Sequence, residues 1–181
     1  GQLGRVGIGL GLIILALELI VQAAAPITHA QGVKVLFASL TGDIMLDALV
    51  GAMFAMVSYS SLAAVLLTAT LAGAEVISLP VAIGLVVGAN IGSGLLAFIS
   101  TSMQNTAGRR VALGSLLYKL LGLLLIIPVL HPLVEWMDSL SFSPQELVIG
   151  FHLLYNTLRC LLMLPTVKLM ARLCNTLPPE R

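Results

Sequence analysis

The sequence predicts an all-α integral membrane protein, and three observations carry that prediction. Hydrophobic residues make up 59% of the 181 and charged ones only 9%, with a mean hydropathy of +1.07; a soluble domain carries roughly 25% charged residues. Several apolar runs approach the ~20 residues that span a hydrocarbon core of ~30 Å. The third observation is a pair of polar, small-residue breaks inside this apolar sequence, Ser58-Tyr59-Ser60-Ser61 and Gly88-Ala89-Asn90-Ile91-Gly92-Ser93-Gly94. In hydrocarbon, broken or polar backbone is tolerated only where protein or a water-filled cavity surrounds it. The breaks are therefore the first place to look for function.

The net charge of +1 offers no basic stripe to neutralise phosphates in series, so nucleic-acid binding is excluded. Cys160 and Cys174 suggest neither a disulfide framework nor a metal site, and no cofactor is expected. The chain opens without Met and stops at Pro178-Pro179-Glu180-Arg181, which reads as a cut in a longer protein. We expect a single membrane domain over residues 1–181, with 170–181 as the start of a tail.

Residues 6–25 have the length of a spanning helix, ended by Pro26, with Glu18 near its middle. Thr28 to Leu40 reads as a mixed loop containing His29 and Lys34. Residues 44–74 are longer than one crossing needs and too short for two crossings with a turn. With serines at the midpoint, a re-entrant hairpin of two half-helices solves the length, its outer ends on the same side. One long tilted helix with back-bonded hydroxyls is the alternative.

Residues 79–99 form the next spanning helix, with Gly84, Gly88 and Gly92 at a four-residue spacing that makes a packing face. Packing does not require the amide of Asn90. Residues 111–130 form a spanning helix that contains Lys119 and ends near Pro128 and Pro132; residues 147–169 form another, with His152, Asn156, Arg159 and Pro165.

Loop charges orient these segments. Arg5, Arg109, Arg110, Lys168 and Arg172 mark cytoplasmic ends, whereas the loop with Glu135, Asp138 and Glu146 has no Lys or Arg. Both termini then lie in the cytoplasm, and the crossings alternate without contradiction only if residues 44–74 enter and leave on the outer side.

Gly88-Ala89-Asn90-Ile91-Gly92-Ser93 resembles the Gly-Ala-Asn-Ile-Gly-Thr-Thr signature of the sodium/phosphate cotransporters, and it follows a serine cluster that stands in the place of their Gln-Ser-Ser-Ser motif. Arg109-Arg110-Val111-Ala112-Leu113, Tyr118-Lys119 and His152-Leu153-Leu154-Tyr155-Asn156 are similar to further helices of that family. The resemblance covers nearly the whole chain and is closest to the bacterial branch that carries a C-terminal PhoU-like domain. Several positions depart from the pattern. Ser58 stands for the family's Gln and Tyr59 for its first Ser, Gly94 lacks the second hydroxyl of the signature, and Lys119 replaces an Asn.

The resemblance implies sodium-coupled transport of inorganic phosphate by alternating access across a bacterial cytoplasmic (inner) membrane, import or export. Family members carry two inverted repeats, so this chain looks like one repeat that lacks its partner. Phosphate crossing hydrocarbon needs donors that replace its water shell. Ser60 and Ser61, at the start of the returning half-helix, would donate to it; Asn90 and Ser93 would add polar atoms, and Gly88 and Gly92 would let backbone approach closely. Broken-helix carbonyls and hydroxyls suit sodium. Ser58, Asn156, Arg159 and Lys119 are accessory candidates.

The intramembrane ionisable residues leave two readings open: Glu18 pairs structurally with Arg159 or Lys119, or one of those cations holds the anion. His152 reads as an interhelical hydrogen-bond partner, Tyr59 as packing and Trp136 as an interface residue. Two rival functions compete with transport. A non-transporting packing subunit explains the glycines but not Asn90 or the serines. An intramembrane serine protease would need Ser93 and His152 to meet, and their predicted depths differ.

Overall fold

The computed structural model describes residues 1–32, 35, 43–101 and 106–176. Among these residues it is all helical, with α1 (Gln2–His29), α2 (Ile44–Val57), α3 (Ser61–Gly73), α4 (Leu79–Thr101), α5 (Thr106–Asp138), α6 (Pro144–Met163), a 3₁₀ turn at Leu164–Thr166 and α7 (Val167–Thr176). Four stretches are long and apolar enough to cross a membrane: Gln2–Ala23, Leu79–Thr101, Thr106–Asp138 and Pro144–Thr176; α2 and α3 are shorter apolar helices.

The organising element is α4. Every residue from Val81 to Asn90 is buried, as expected of a helix that is apolar all round. α2, α3, α5 and α6 all touch it. Val65, Leu71, Ile83, Val86, Val87 and Val148 are the largest apolar side chains to be completely enclosed. α1 leans on α3 and is exposed along the rest of its described length.

Helix ends follow local chemistry. Asp43 caps α2, its carboxylate accepting from the backbone N–H of Met45 (2.9 Å) and Leu46 (3.0 Å). Ser143 and Glu146 form a capping box at the start of α6, ahead of Pro144 in the first turn. Between α2 and α3 the chain does not continue as one tilted helix. The Ser58 hydroxyl donates back to the Phe54 carbonyl (2.8 Å) and to the Ser60 carbonyl (3.1 Å), Tyr59 takes a positive φ of 53°, and the Ser60 hydroxyl caps α3 by accepting from Ala63 N–H (3.1 Å).

Three expected ends move. α1 runs through Pro26 to His29. α5 runs through Pro128 and Pro132 to Asp138. Each proline deprives the carbonyl four residues earlier of its donor, a cost membrane helices tolerate when the freed group is satisfied by side chains, neighbouring helices or local adjustment. At the end of the chain, helix persists past residue 169: Pro165 is absorbed by the 3₁₀ turn, and α7 continues to Thr176. Lys34 and most of the expected 28–40 loop lie outside the described residues.

Two sets of contacts distinguish the ends of the bundle. Gln145, at the start of α6, lies against Gly73 at the end of α3. At the other end, Arg110 of α5 donates to the Asn175 carbonyl of α7 (3.4 Å), and Cys174 and Met170 lie over Gly114. Along the same seam the Tyr118 and Thr166 hydroxyls are bonded at 3.0 Å.

Candidate functional site

The glycines of α4 meet the backbone of α2. A methyl group added at Gly88 or Gly92 would overlap the carbonyls of Ala48 and Ala52, and one at Gly51 would overlap the carbonyl of Leu85. The order of these contacts makes α2 and α4 run in the same direction. Gly88 and Gly92 thus receive a backbone, as the close approach of helices through small residues requires, and that backbone belongs to α2. In this structure their surroundings are those of a helix-packing seam.

The polar side of α4 faces α5. Asn90 is 6% exposed and donates through Nδ2 to the Val86 carbonyl (3.0 Å). Ser93 donates to the Asn90 carbonyl (2.9 Å) and accepts from the Lys119 ammonium (2.8 Å). The stem of Lys119 crosses Gly94 so closely that an added Cβ there would lie 2.8 Å from Lys119 Cδ. Two of the departures from the cotransporter signature are therefore in contact. The missing hydroxyl at Gly94 is the space through which Lys119 reaches Ser93.

One turn along the same face of α5, Gly122 accommodates α6 in the same way, for a Cβ there would lie 2.7 Å from the Tyr155 hydroxyl and 2.8 Å from Arg159 Cδ. Arg159 donates through Nη2 to Asn156 Oδ1 (2.8 Å), its guanidinium carbon stands 6.0 Å from the Tyr155 ring centroid, and its Nε is buried without a hydrogen-bond partner. Lys119 and Arg159 feel each other's charge. Among the described residues no carboxylate bonds to either.

The expected ion pair with Glu18 is not formed. Glu18 is exposed on α1 and accepts from Gln22 on the same helix (3.3 Å), because α1 packs on α3 and stays away from α5 and α6. His152 also differs from expectation: its Nδ1 faces the Asn156 amide on its own helix at 3.3 Å, so its bond is intrahelical. Tyr59 is 79% exposed at the tip between α2 and α3 and packs on nothing in this chain's core. Ser93 and His152 belong to separate hydrogen-bond groups, as an intramembrane protease could not allow. Among the described residues no group of His, Cys, Asp and Glu could hold a metal.

Of the candidate residues, the fold joins Asn90, Ser93 and Lys119 in one bonded chain and sets Arg159 and Asn156 beside it. Ser58, Ser60 and Ser61 are not bonded to that cluster. Ala52 lies level with Gly92, and Ser58 is six residues further along α2, so the break lies on the order of 9 Å beyond Ser93 along the bundle. Two cavities between α5 and α6–α7 reach this cluster through Arg159 alone. One, of about 590 Å³, is lined by apolar residues such as Leu125, Trp136 and Phe151 together with Arg159. The other, of about 720 Å³, includes Arg110, Ser115, Tyr118 and again Arg159. Arg159 and Met163 form the wall they share.

Comparison with known proteins completes the picture. The chain is 69% identical over 175 residues to YjbB of Salmonella typhimurium, named as a candidate inorganic phosphate export protein, covering 97% of this chain and 32% of that one. It is 68% identical over 177 residues to the protein of the same name from Escherichia coli strain K12, covering 98% and 33% respectively. The uncharacterised YqeW of Bacillus subtilis is 27% identical over 181 residues, covering 99% of this chain and 59% of that one. The chain thus spans about a third of the length of the YjbB proteins. No solved structure matches it significantly. The family model for the Na+/Pi-cotransporters matches residues 25–161, which takes in the α2–α3 break, the glycine seam and both intramembrane cations: this chain belongs to the Na+/Pi-cotransporter family, a family of transporters.

Proposed function

We propose that this chain is one repeat of a protein that moves inorganic phosphate across the bacterial cytoplasmic membrane by alternating access, with sodium as the coupling ion. The observation that carries the reading is the pair Lys119 and Arg159. Both lie well inside apolar helices, neither has a carboxylate partner among the described residues, and a charge inside a membrane bundle is expensive unless something of opposite sign compensates it. An oxyanion does so, and it accepts from the ammonium and from the planar guanidinium alike. Ser93 and Asn90 supply the adjoining polar atoms.

The serine break takes the second wall in this reading. Ser60 caps α3, so the first N–H groups of that helix point toward the break and favour an anion there. Ser61 adds a hydroxyl, and Ser58 braces the turn. The positive-inside rule puts the Arg109–Arg110 end and α7 in the cytoplasm, and α2 and α3 then enter from the outer side. The length of the YjbB relatives leaves room for a second inverted repeat and for a PhoU-like domain. The name these relatives carry favours export as the direction. The glycine seam by itself would suit a non-transporting packing subunit, but that reading leaves the two cations unexplained.

Radiolabelled phosphate flux by the purified protein in proteoliposomes, with and without a sodium gradient, tests this. Sodium-dependent movement is expected. No movement in either direction would end the proposal, and movement indifferent to sodium would keep phosphate and remove the coupling ion.

A further inference from the structure

Asp47 lies in the first turn of α2 and belongs to neither cationic cluster nor serine break. Its side chain is 0% exposed, and both carboxylate oxygens are buried with no hydrogen-bond partner. It lies directly over Gly84 of α4, where an added Cβ would come within 2.6 Å of Asp47 Cβ and 3.3 Å of Oδ2. Glycine at position 84 is what leaves room for the carboxyl group. The seam that aligns Gly51, Gly88 and Gly92 thus ends on an acid.

Among the described residues no counter-charge faces this acid. α3 and α4, which pack against α2, contain no Asp, Glu, His, Lys or Arg. On its own helix, the charged group that acts on it is the α2 cap, Asp43, of the same sign. A bare carboxylate enclosed in this way is strongly disfavoured, and such a group neutralises instead of remaining charged. A sodium ion would need several further oxygen ligands around it, and the one neighbour seen against the carboxyl group is the bare backbone of Gly84. A proton needs neither ligands nor free volume.

We propose that Asp47 is a proton-carrying site, protonated while the outer end of α2 is seated on Gly84 and deprotonated when that end lifts away and water reaches it. The step is a simple dissociation: the carboxyl O–H bond breaks, the electron pair stays on the oxygen, and the proton passes to water on the side to which α2 opens. Lower pH favours the seated arrangement and higher pH the open one. Coupling of this proton to phosphate movement rests on the transport reading above, and it would add to any sodium coupling.

Two measurements separate the site from that reading. The first is infrared spectroscopy of the bilayer-reconstituted protein at neutral pH, comparing wild type with Asp47→Asn. A protonated-carboxyl stretching band without hydrogen-bond broadening is expected in the wild type and is lost in the variant; no such band, or a band unchanged by the substitution, overturns the proposal whether or not the protein moves phosphate. The second is phosphate flux driven by an imposed pH gradient at equal sodium on both sides. The wild type should respond, and Asp47→Asn, checked as monodisperse and folded, should lose at least tenfold of the response. An equal response in both proteins overturns the coupling, and so does a response lost only under a sodium gradient, which would assign the site to sodium.

Discussion

The two sides of α4 are built on opposite plans. Toward α2 it presents glycines, and the facing carbonyls of Ala48 and Ala52 come so near that no side chain fits between. Toward α5 and α6 it presents Asn90 and Ser93, and beyond them lie two cations and two cavities. The first side is held by backbone packing, which is short-ranged and intolerant of added volume. The second is held by long side chains reaching across gaps, an arrangement that can be rebuilt around a ligand. One helix therefore serves as the joint between α2, held rigidly to it from Ala48 inward while the first turn with Asp47 rests only on a side-chain contact, and a looser, charged pair, α5 with α6.

The contrast breaks most sharply at Gly88. Gly88→Ala should destabilise the folded protein by about 3 kcal/mol, since overpacking a tight contact costs 1–3 kcal/mol and backbone cannot move aside as a side chain can; unfolding in detergent reads it. A stability equal to wild type would mean that the α2–α4 seam is not the rigid element. On the other side, Arg159→Gln should leave the protein folded and weaken its affinity for phosphate at least tenfold, about 1.4 kcal/mol, read by the concentration dependence of flux. Loss of folded protein would assign Arg159 to structure.

The contact between Gly94 and Lys119 provides a subtler probe. Gly94→Ala collides with the lysine stem, whereas the same substitution made together with Lys119→Ala meets only Leu116, at 3.3 Å from its Cδ1 and 3.5 Å from its Cα. The double-mutant cycle should show a coupling of about 1 kcal/mol, within the range for residues in contact; strict additivity would separate the two positions. The smallest effect is expected on α1. Nothing lies within 4 Å of a Cβ built on Gly9, so Gly9→Ala should be neutral or stabilise by up to about 1 kcal/mol through helix propensity alone.

Much of this was legible in the residues and some was not. The break at Ser58 to Ser61 could be read because serines at the midpoint of an over-long apolar run have few other uses. The packing face of Gly84, Gly88 and Gly92 was equally plain, but not what packs on it, because a glycine stripe names no partner. Asp47, a single acid near the start of a long apolar run, does not stand out in the sequence. A signal was nevertheless present: Asp47 stands four residues before Gly51, on the same helical face, so the helix that packs on Gly51 packs on Asp47 as well. Pro26, Pro128 and Pro132 misled as helix ends, since a rule learned in water weakens inside a membrane. The pairing of Glu18 with a distant cation failed for a different reason. Depth along the membrane normal can be counted from sequence, but which helices are neighbours cannot.

The central claim is that the cations on the looser side of α4 hold the transported anion. Its most direct test is phosphate flux by the Lys119→Gln, Arg159→Gln double variant in proteoliposomes, beside wild type and with folding checked by monodisperse elution. The expected result is a folded protein whose affinity for phosphate has fallen at least tenfold. A folded double variant that moves phosphate with wild-type affinity would contradict it.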